Sequence, residues 1–247
     1  MSGSEQGTWL FDLGNTRLKI APLLGEGRIG DTIALAHDGE ADAIAGMTLP
    51  KGEGACVSTV AGTGVTTALL DRLARQFGRI SIARTQSRCN GLRIAYAEPA
   101  RLGVDRFLAL LAARARGAGP ALVVGVGTAL TIDLLDADGL HRGGRIAPAP
   151  ALMRAALHAR ASQLAETGGL YREFADDTED ALASGCEGAA IALAQRSLVE
   201  ASMLLGATPR LLVHGGGALP VLQHLAAAES APGLVLEGLA RWAGASA

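Results

Sequence analysis

The apolar run TWLFDL breaks at Asp12, Gly14, Asn15 and Thr16 and resumes as RLKIAPL, so the chain opens on a buried strand, a tight turn and a return strand. RIGDTIALAH extends a third stretch up to the turn His37-Asp38-Gly39-Glu40. Residues 40 to 47 suit a short helix, GACVSTV a strand, TTALLDRLARQFG a helix stopping at Gly78, and RISIA another strand. LGVDRFLALLAARARG then sets Leu108, Leu111 and Ala112 on one helical face before a glycine stop.

After the breaker Gly117-Ala118-Gly119-Pro120 the pattern restarts with ALVVGVG, TALTIDLLDADG and LHRGGRIAPAP as three extended stretches. Helical segments, LLVHGGGA, a further helix and LVLEGL complete it. Laying FDLGNTRLKI over VGVGTALTID puts Gly14 on Gly127 and Asp12 on Gly125. Repetition at domain length predicts duplicated α/β lobes with a cleft between them, residues 1–116 and 117–247.

Composition narrows the classes. A hydrophobic content of 49% and a mean hydropathy of +0.28 support a large core, which excludes disorder. A formal net charge of -2 without long runs of one sign lacks the footprint of a nucleic-acid binder. Cys56, Cys89 and Cys186 form no C-x-x-C pair, and His37, His141, His158, His214 and His224 have no metal-binding spacing. A reducing compartment is expected. The N-terminus has no basic region before its short apolar run, and no apolar stretch spans a bilayer, so a cytoplasmic protein without membrane contact is predicted.

The candidate chemistry lies at the glycine turns. A strand ending in Asp, followed by Gly-Asn-Thr and a return strand, suits a phosphate loop: glycine admits the phosphate, successive N–H groups point at it, and Asp12 lies near Mg²⁺ directly or through water. Gly, Asn and Asp equally satisfy an ordinary hairpin turn. The second turn, GVGTALTID, repeats the design, with Thr128 in it.

GEGRIG at 25 to 30 matches a dinucleotide fingerprint literally, yet it lies between extended stretches and reads as a loop. AGTGVTT at 61 to 67 lacks the lysine of a P-loop; the chain's lysines are Lys19 and Lys51. LGVDR puts Asp105 and Arg106 in the first turn of a helix, as a dipole partner or as a catalytic base beside a cation for an anionic substrate. HRGGRIAPAP leads into a helix near Pro150, and LLVHGGGALP runs a strand into three glycines suited to a nucleotide's base and ribose, or simply to a tight turn.

Taken in order, DLGNTRLK, Tyr96 with Glu98-Pro99, LGVDR, GVGTALTID, GGRIAP, TEDALASG and HGGGA resemble the type III pantothenate kinase family of the actin-like superfamily. The resemblance implies two ribonuclease-H-like lobes, a homodimer, and Mg²⁺-dependent phosphorylation of pantothenate by ATP, the first committed step to coenzyme A. It implies that Asp12, Leu13, Gly14, Asn15, Thr16, Arg17, Leu18 and Lys19 form the first phosphate loop and that Thr128 contacts ATP from the second. Asp105 would be the proton acceptor. Tyr96, Gly103, Val104, Asp105 and Arg106 would line the pantothenate site, and Thr178 would close it from the partner subunit.

Three departures stand out. Many members hold the required K⁺ or NH₄⁺ with an Asp where Gly125 stands, so cation dependence is lost here or rests on other ligands. Pro148-Ala149 replaces a common Pro-Gly, and His214 a common Thr or Ser. Two rivals remain: a phosphatase of the same superfamily acting on polyphosphate or nucleotides, and a non-catalytic nucleotide-binding regulator.

Overall fold

The computed structural model describes residues 7–245. The chain divides into two compact units, Met1–Arg116 with Gly233–Ala247, and Gly117–Pro232.

In the first unit, β1 (Thr8–Leu13), β2 (Arg17–Pro22), β3 (Ile33–Ala36), β4 (Gly52–Thr59) and β5 (Phe77–Ile82) form a sheet in the order β3-β2-β1-β4-β5. Hairpins make β2 antiparallel to β1 and β3, whereas β4 and β5 run parallel to β1. Helices α1 (Ala41–Gly46) and α2 (Thr63–Ala74) connect them; α2 stops short of Gly78 because β5 already begins at Phe77. Phe11, Leu13, Leu18, Ile20, Leu69 and Leu73 are in its core. A short hairpin of β6 (Arg88–Cys89) and β7 (Leu92–Arg93) precedes α3 (Val104–Ala115).

The second unit repeats the design. Strands β8 (Ala121–Val126), β9 (Ala129–Leu135), β10 (His141–Pro148), β11 (Arg210–His214) and β12 (Ala228–Ser230) are ordered β10-β9-β8-β11-β12, with the same antiparallel and parallel pairings. Helices α4 (Pro150–Arg160), α5 (Thr178–Leu205) and α6 (Ala218–Leu222) complete it, α5 being capped by the Asp177 carboxylate, which accepts from the N–H groups of Glu179 and Asp180.

One boundary differs from the sequence expectation, which ran the second lobe to residue 247. The apolar run LVLEGL opens α7 (Leu234–Ala245), and α7 packs on α3 of the first unit. It buries Leu234, Val235, Leu236, Leu239, Ala240 and Trp242. The helices touch at Gly238, where a β-carbon would lie 1.9 Å from the Leu108 carbonyl oxygen, so only glycine permits this approach. Among the described residues no helix is long and apolar enough to cross a membrane.

Candidate functional site

The two glycine turns occupy equivalent places in their units. Leu13 pairs with Leu18 across the first and Val126 with Leu130 across the second, which makes the second turn one residue shorter. Each is closed alike: Gly14 N–H donates to the Arg17 carbonyl and Gly127 N–H to the Ala129 carbonyl, both at 3.0 Å.

The first turn is braced from β3. His37, almost fully buried, donates from Nε2 to the Gly14 carbonyl at 3.1 Å, its tautomer fixed because Gly39 N–H donates to Nδ1 at 3.1 Å. The N–H groups of His37 and Asp38 both donate to the Thr16 carbonyl, at 2.9 and 3.1 Å. With its Gly14, Thr16 and Arg17 carbonyls engaged, the turn keeps the exposed Asn15 and Thr16 N–H groups without a hydrogen-bond partner among the described residues. Consecutive unspent N–H groups on a rigid turn form an anion-binding nest. Of the stretch Asp12 to Lys19, the side chains of Leu13 and Leu18 are wholly buried in the core, so those two residues can reach a ligand only through their backbone.

Asp12, one residue before the end of β1, lies between Lys19 on β2 and Ser58 on β4 in the strand register. Ser58 Oγ, itself buried, donates to Asp12 Oδ1 at 2.9 Å. Burial pushes the Asp12 carboxyl up from 3.8 to about 6; Lys19 and the Ser58 hydrogen bond pull it down, and the Asp105 carboxylate adds to the rise. The first unit therefore brings Lys19, Ser58 and Asp105 within electrostatic reach of Asp12. Neither Ser58 nor His37 was singled out from the sequence. The available signals were a hydroxyl residue at the end of the apolar strand ACVST and a histidine directly before a turn.

Asp105 is half-buried in the first turn of α3 and folds back over Gly103, where a β-carbon would stand 2.6 Å from its Oδ1. Arg106 is buried, unusual for an arginine at a helix start, and its Nη1 donates to the Tyr96 hydroxyl at 3.5 Å. Gly103, Val104, Asp105, Arg106 and Tyr96 are thus grouped at one end of α3. The other two predicted contacts belong to the second unit: Thr128 is exposed in the β8–β9 turn, and Thr178 is exposed as the first residue of α5.

The glycine run after β11 presses on the second turn. Gly217 N–H donates to the Val126 carbonyl at 3.0 Å, and Gly215, at φ 101°, passes so close to Val126 that a β-carbon would lie 2.2 Å from that oxygen.

Magnesium fits the Asp12 environment: a hard cation takes oxygen ligands, needs only one or two carboxylates when phosphates share it, and would relieve a carboxylate whose charge burial disfavours. No group of three or more His, Cys, Asp or Glu side chains able to hold a metal occurs among the described residues. A monovalent cation at Gly125 does not fit. That position offers no carboxylate, and the His214 imidazole and Thr131 hydroxyl already occupy the space around it.

A model of the type III pantothenate kinase family matches residues 9–200. The chain belongs to that family. A type III pantothenate kinase of Stenotrophomonas maltophilia (strain K279a) is 59% identical over 238 residues, covering 95% of this chain and 96% of the relative. One from Xanthomonas campestris pv. campestris (strain B100) is 59% identical over 240 residues, covering 97% and 98%. Among solved structures, a Campylobacter jejuni protein of the Baf transcriptional activator family superposes with a TM-score of 0.59 at 20% identity, over 94% of both chains, which supports the fold alone. The two five-stranded sheets, with like strand order and like antiparallel and parallel pairings, are the duplicated α/β lobes of the expected fold class.

Proposed function

We propose that this protein transfers the γ-phosphoryl group of ATP to the primary hydroxyl of pantothenate, giving 4′-phosphopantothenate for coenzyme A biosynthesis. The observation that carries the reading is the glycine turn directly after Asp12, whose Asn15 and Thr16 N–H groups are unspent, in the same unit as Asp105 and Arg106 at the start of α3. Family membership supplies the substrate class.

In this reading the Asn15 and Thr16 amides and Lys19 bind phosphate oxygens, and the Thr128 hydroxyl adds a contact to ATP. Arg106, steadied by Tyr96, pairs with the carboxylate of pantothenate and aims its hydroxyl. That oxygen attacks the γ-phosphorus in line, the bond to the β-phosphate oxygen breaks, and the hydroxyl proton passes to Asp105. Asp12 would hold magnesium, directly or through water, and the ion would supply charge neutralisation on the phosphate oxygens.

The protein acts in the cytoplasm as a homodimer in which Thr178 closes the partner's substrate site. Leu152 and Leu157 on α4, 43% exposed each, with Met203 at 75% and Leu204 at 61% on α5, provide apolar surface of the kind subunit contacts use.

ADP release from Mg·ATP with and without pantothenate tests the reading. Release that requires pantothenate supports the kinase. Equal release without it supports the phosphatase, and ATP binding without turnover supports the regulator.

A further inference from the structure

The duplication allows the two units to be compared position by position on their central strands. In the first unit Asp12 on the middle strand is flanked in register by Lys19 on the hairpin strand and Ser58 on the parallel strand. In the second unit the same three places hold Gly125, Thr131 and His214. Register partners on adjacent strands project from the same face of a sheet, so each trio shares one face.

The first trio is built around a carboxylate; the second is built around its absence. A β-carbon at Gly125 would lie 2.7 Å from Thr131 Oγ1, 2.9 Å from His214 Nε2 and 3.1 Å from His214 Cε1. The first two distances are shorter than real β-carbon contacts, so the imidazole and hydroxyl have closed over the place where a side chain would begin. An aspartate at 125 and His214 in its present position exclude each other. The residues are therefore packed as a pair: any side chain at 125 displaces the ring at 214 or the hydroxyl at 131 from its present place. A hard monovalent cation seeks oxygen ligands, and here a carboxylate is replaced by an imidazole, a ligand suited to softer transition metals.

We infer that His214 fills the side-chain position at Gly125, replacing a cation-holding carboxylate, and that the enzyme works without a potassium or ammonium ion. The second half rests on the kinase reading; the first does not.

Three measurements test it. Pantothenate-dependent ADP release is compared with sodium, potassium, ammonium or tetramethylammonium as the sole monovalent cation at constant ionic strength. Rates equal within about twofold are expected, and stimulation of tenfold or more by potassium or ammonium overturns the inference. Thermal unfolding with Mg·ATP in potassium against sodium gives a readout independent of turnover. No potassium-specific rise is expected for the wild type, and such a rise overturns the inference even if the protein phosphorylates nothing. A double variant, Gly125→Asp with His214→Ser, is expected to acquire that rise.

The packing claim is tested separately. Gly125→Ala alone should lower the midpoint by several degrees, and adding His214→Ser should restore most of it; a Gly125→Ala variant as stable as the wild type overturns the claimed pairing. Loss of pantothenate-dependent ADP release under every cation, with the unfolding results as expected, refutes the kinase reading and leaves the His214 assignment standing.

Discussion

Asp12→Asn should stabilise the ligand-free protein while impairing its use of Mg·ATP. Burial raises the Asp12 carboxyl from 3.8 to about 6, despite the lowering effects of Lys19 and the Ser58 hydrogen bond. At about 1.4 kcal/mol per pH unit, that rise means about 3 kcal/mol favouring the neutral form in the folded state. The folded chain binds this proton more tightly than the unfolded chain. Its contribution to stability is therefore fully present below 3.8 and is lost as pH rises through about 6.

An asparagine, neutral at every pH, keeps an oxygen for Ser58 and escapes that loss. The variant should exceed the wild type by about 3 kcal/mol at pH 8 and by only about 1 kcal/mol near pH 4.5, the difference set by the two ionisation midpoints. Urea unfolding of both proteins at the two pH values, without nucleotide or magnesium, measures it. A variant less stable than the wild type at pH 8, or a gap that does not shrink on acidification, refutes the argument. The same substitution should raise the magnesium concentration needed for half-maximal turnover.

Asp105→Asn should cost at least about 100-fold in kcat while changing ATP affinity little, because the proposed mechanism makes Asp105 the proton acceptor and assigns phosphate binding to the glycine turn; wild-type turnover removes Asp105 from that role. Since Asp105 helps to raise the Asp12 carboxyl, the variant's Asp12 should also titrate at lower pH, visible by NMR of a carboxyl-labelled sample. Gly238→Ala drives a β-carbon into the Leu108 carbonyl and should destabilise by about 1–3 kcal/mol in urea, with reduced kcat because α3 carries Asp105. His37→Ala removes the brace on the Gly14 carbonyl, so KM for ATP should rise several-fold with a smaller change in kcat; an unchanged KM means the turn holds its shape unaided.

The order of strands and helices was legible because each hairpin is punctuated by glycine and each buried strand is a short apolar run bounded by polar residues. The duplication was legible for the same reason, through Gly14 over Gly127. What lay beyond the pattern was anything decided by register. Ser58 and Asp12 meet because two parallel strands align at one level, and no local property of GACVST announces that partner. His37 reads as the start of a turn until β3 pairs with β2 and brings it under Gly14. Helix α7 was misassigned because an amphipathic helix can satisfy its apolar face on either unit; close approach at Gly238 gives it a specific fit to α3.

The strand-end trios show how one duplicated frame acquires two chemistries. A carboxylate held ionised in a buried place is a destabilised group, and the first unit retains it beside a hydroxyl donor, a lysine and a second carboxylate. In the proposed mechanism the raised Asp12 ionisation fits a site whose charge is compensated when a cation and a polyphosphate bind. In the second unit the corresponding place has lost both its carboxylate and its lysine, and an imidazole has moved in. A strand end that needs no charge compensation can pack tightly, and there the glycine run 215–217 presses on Val126 without disturbing an ion. The two halves are thus unequal at their strand ends: one holds a buried carboxylate beside a lysine and a hydroxyl, and the other an uncharged glycine turn with Thr128 exposed in it.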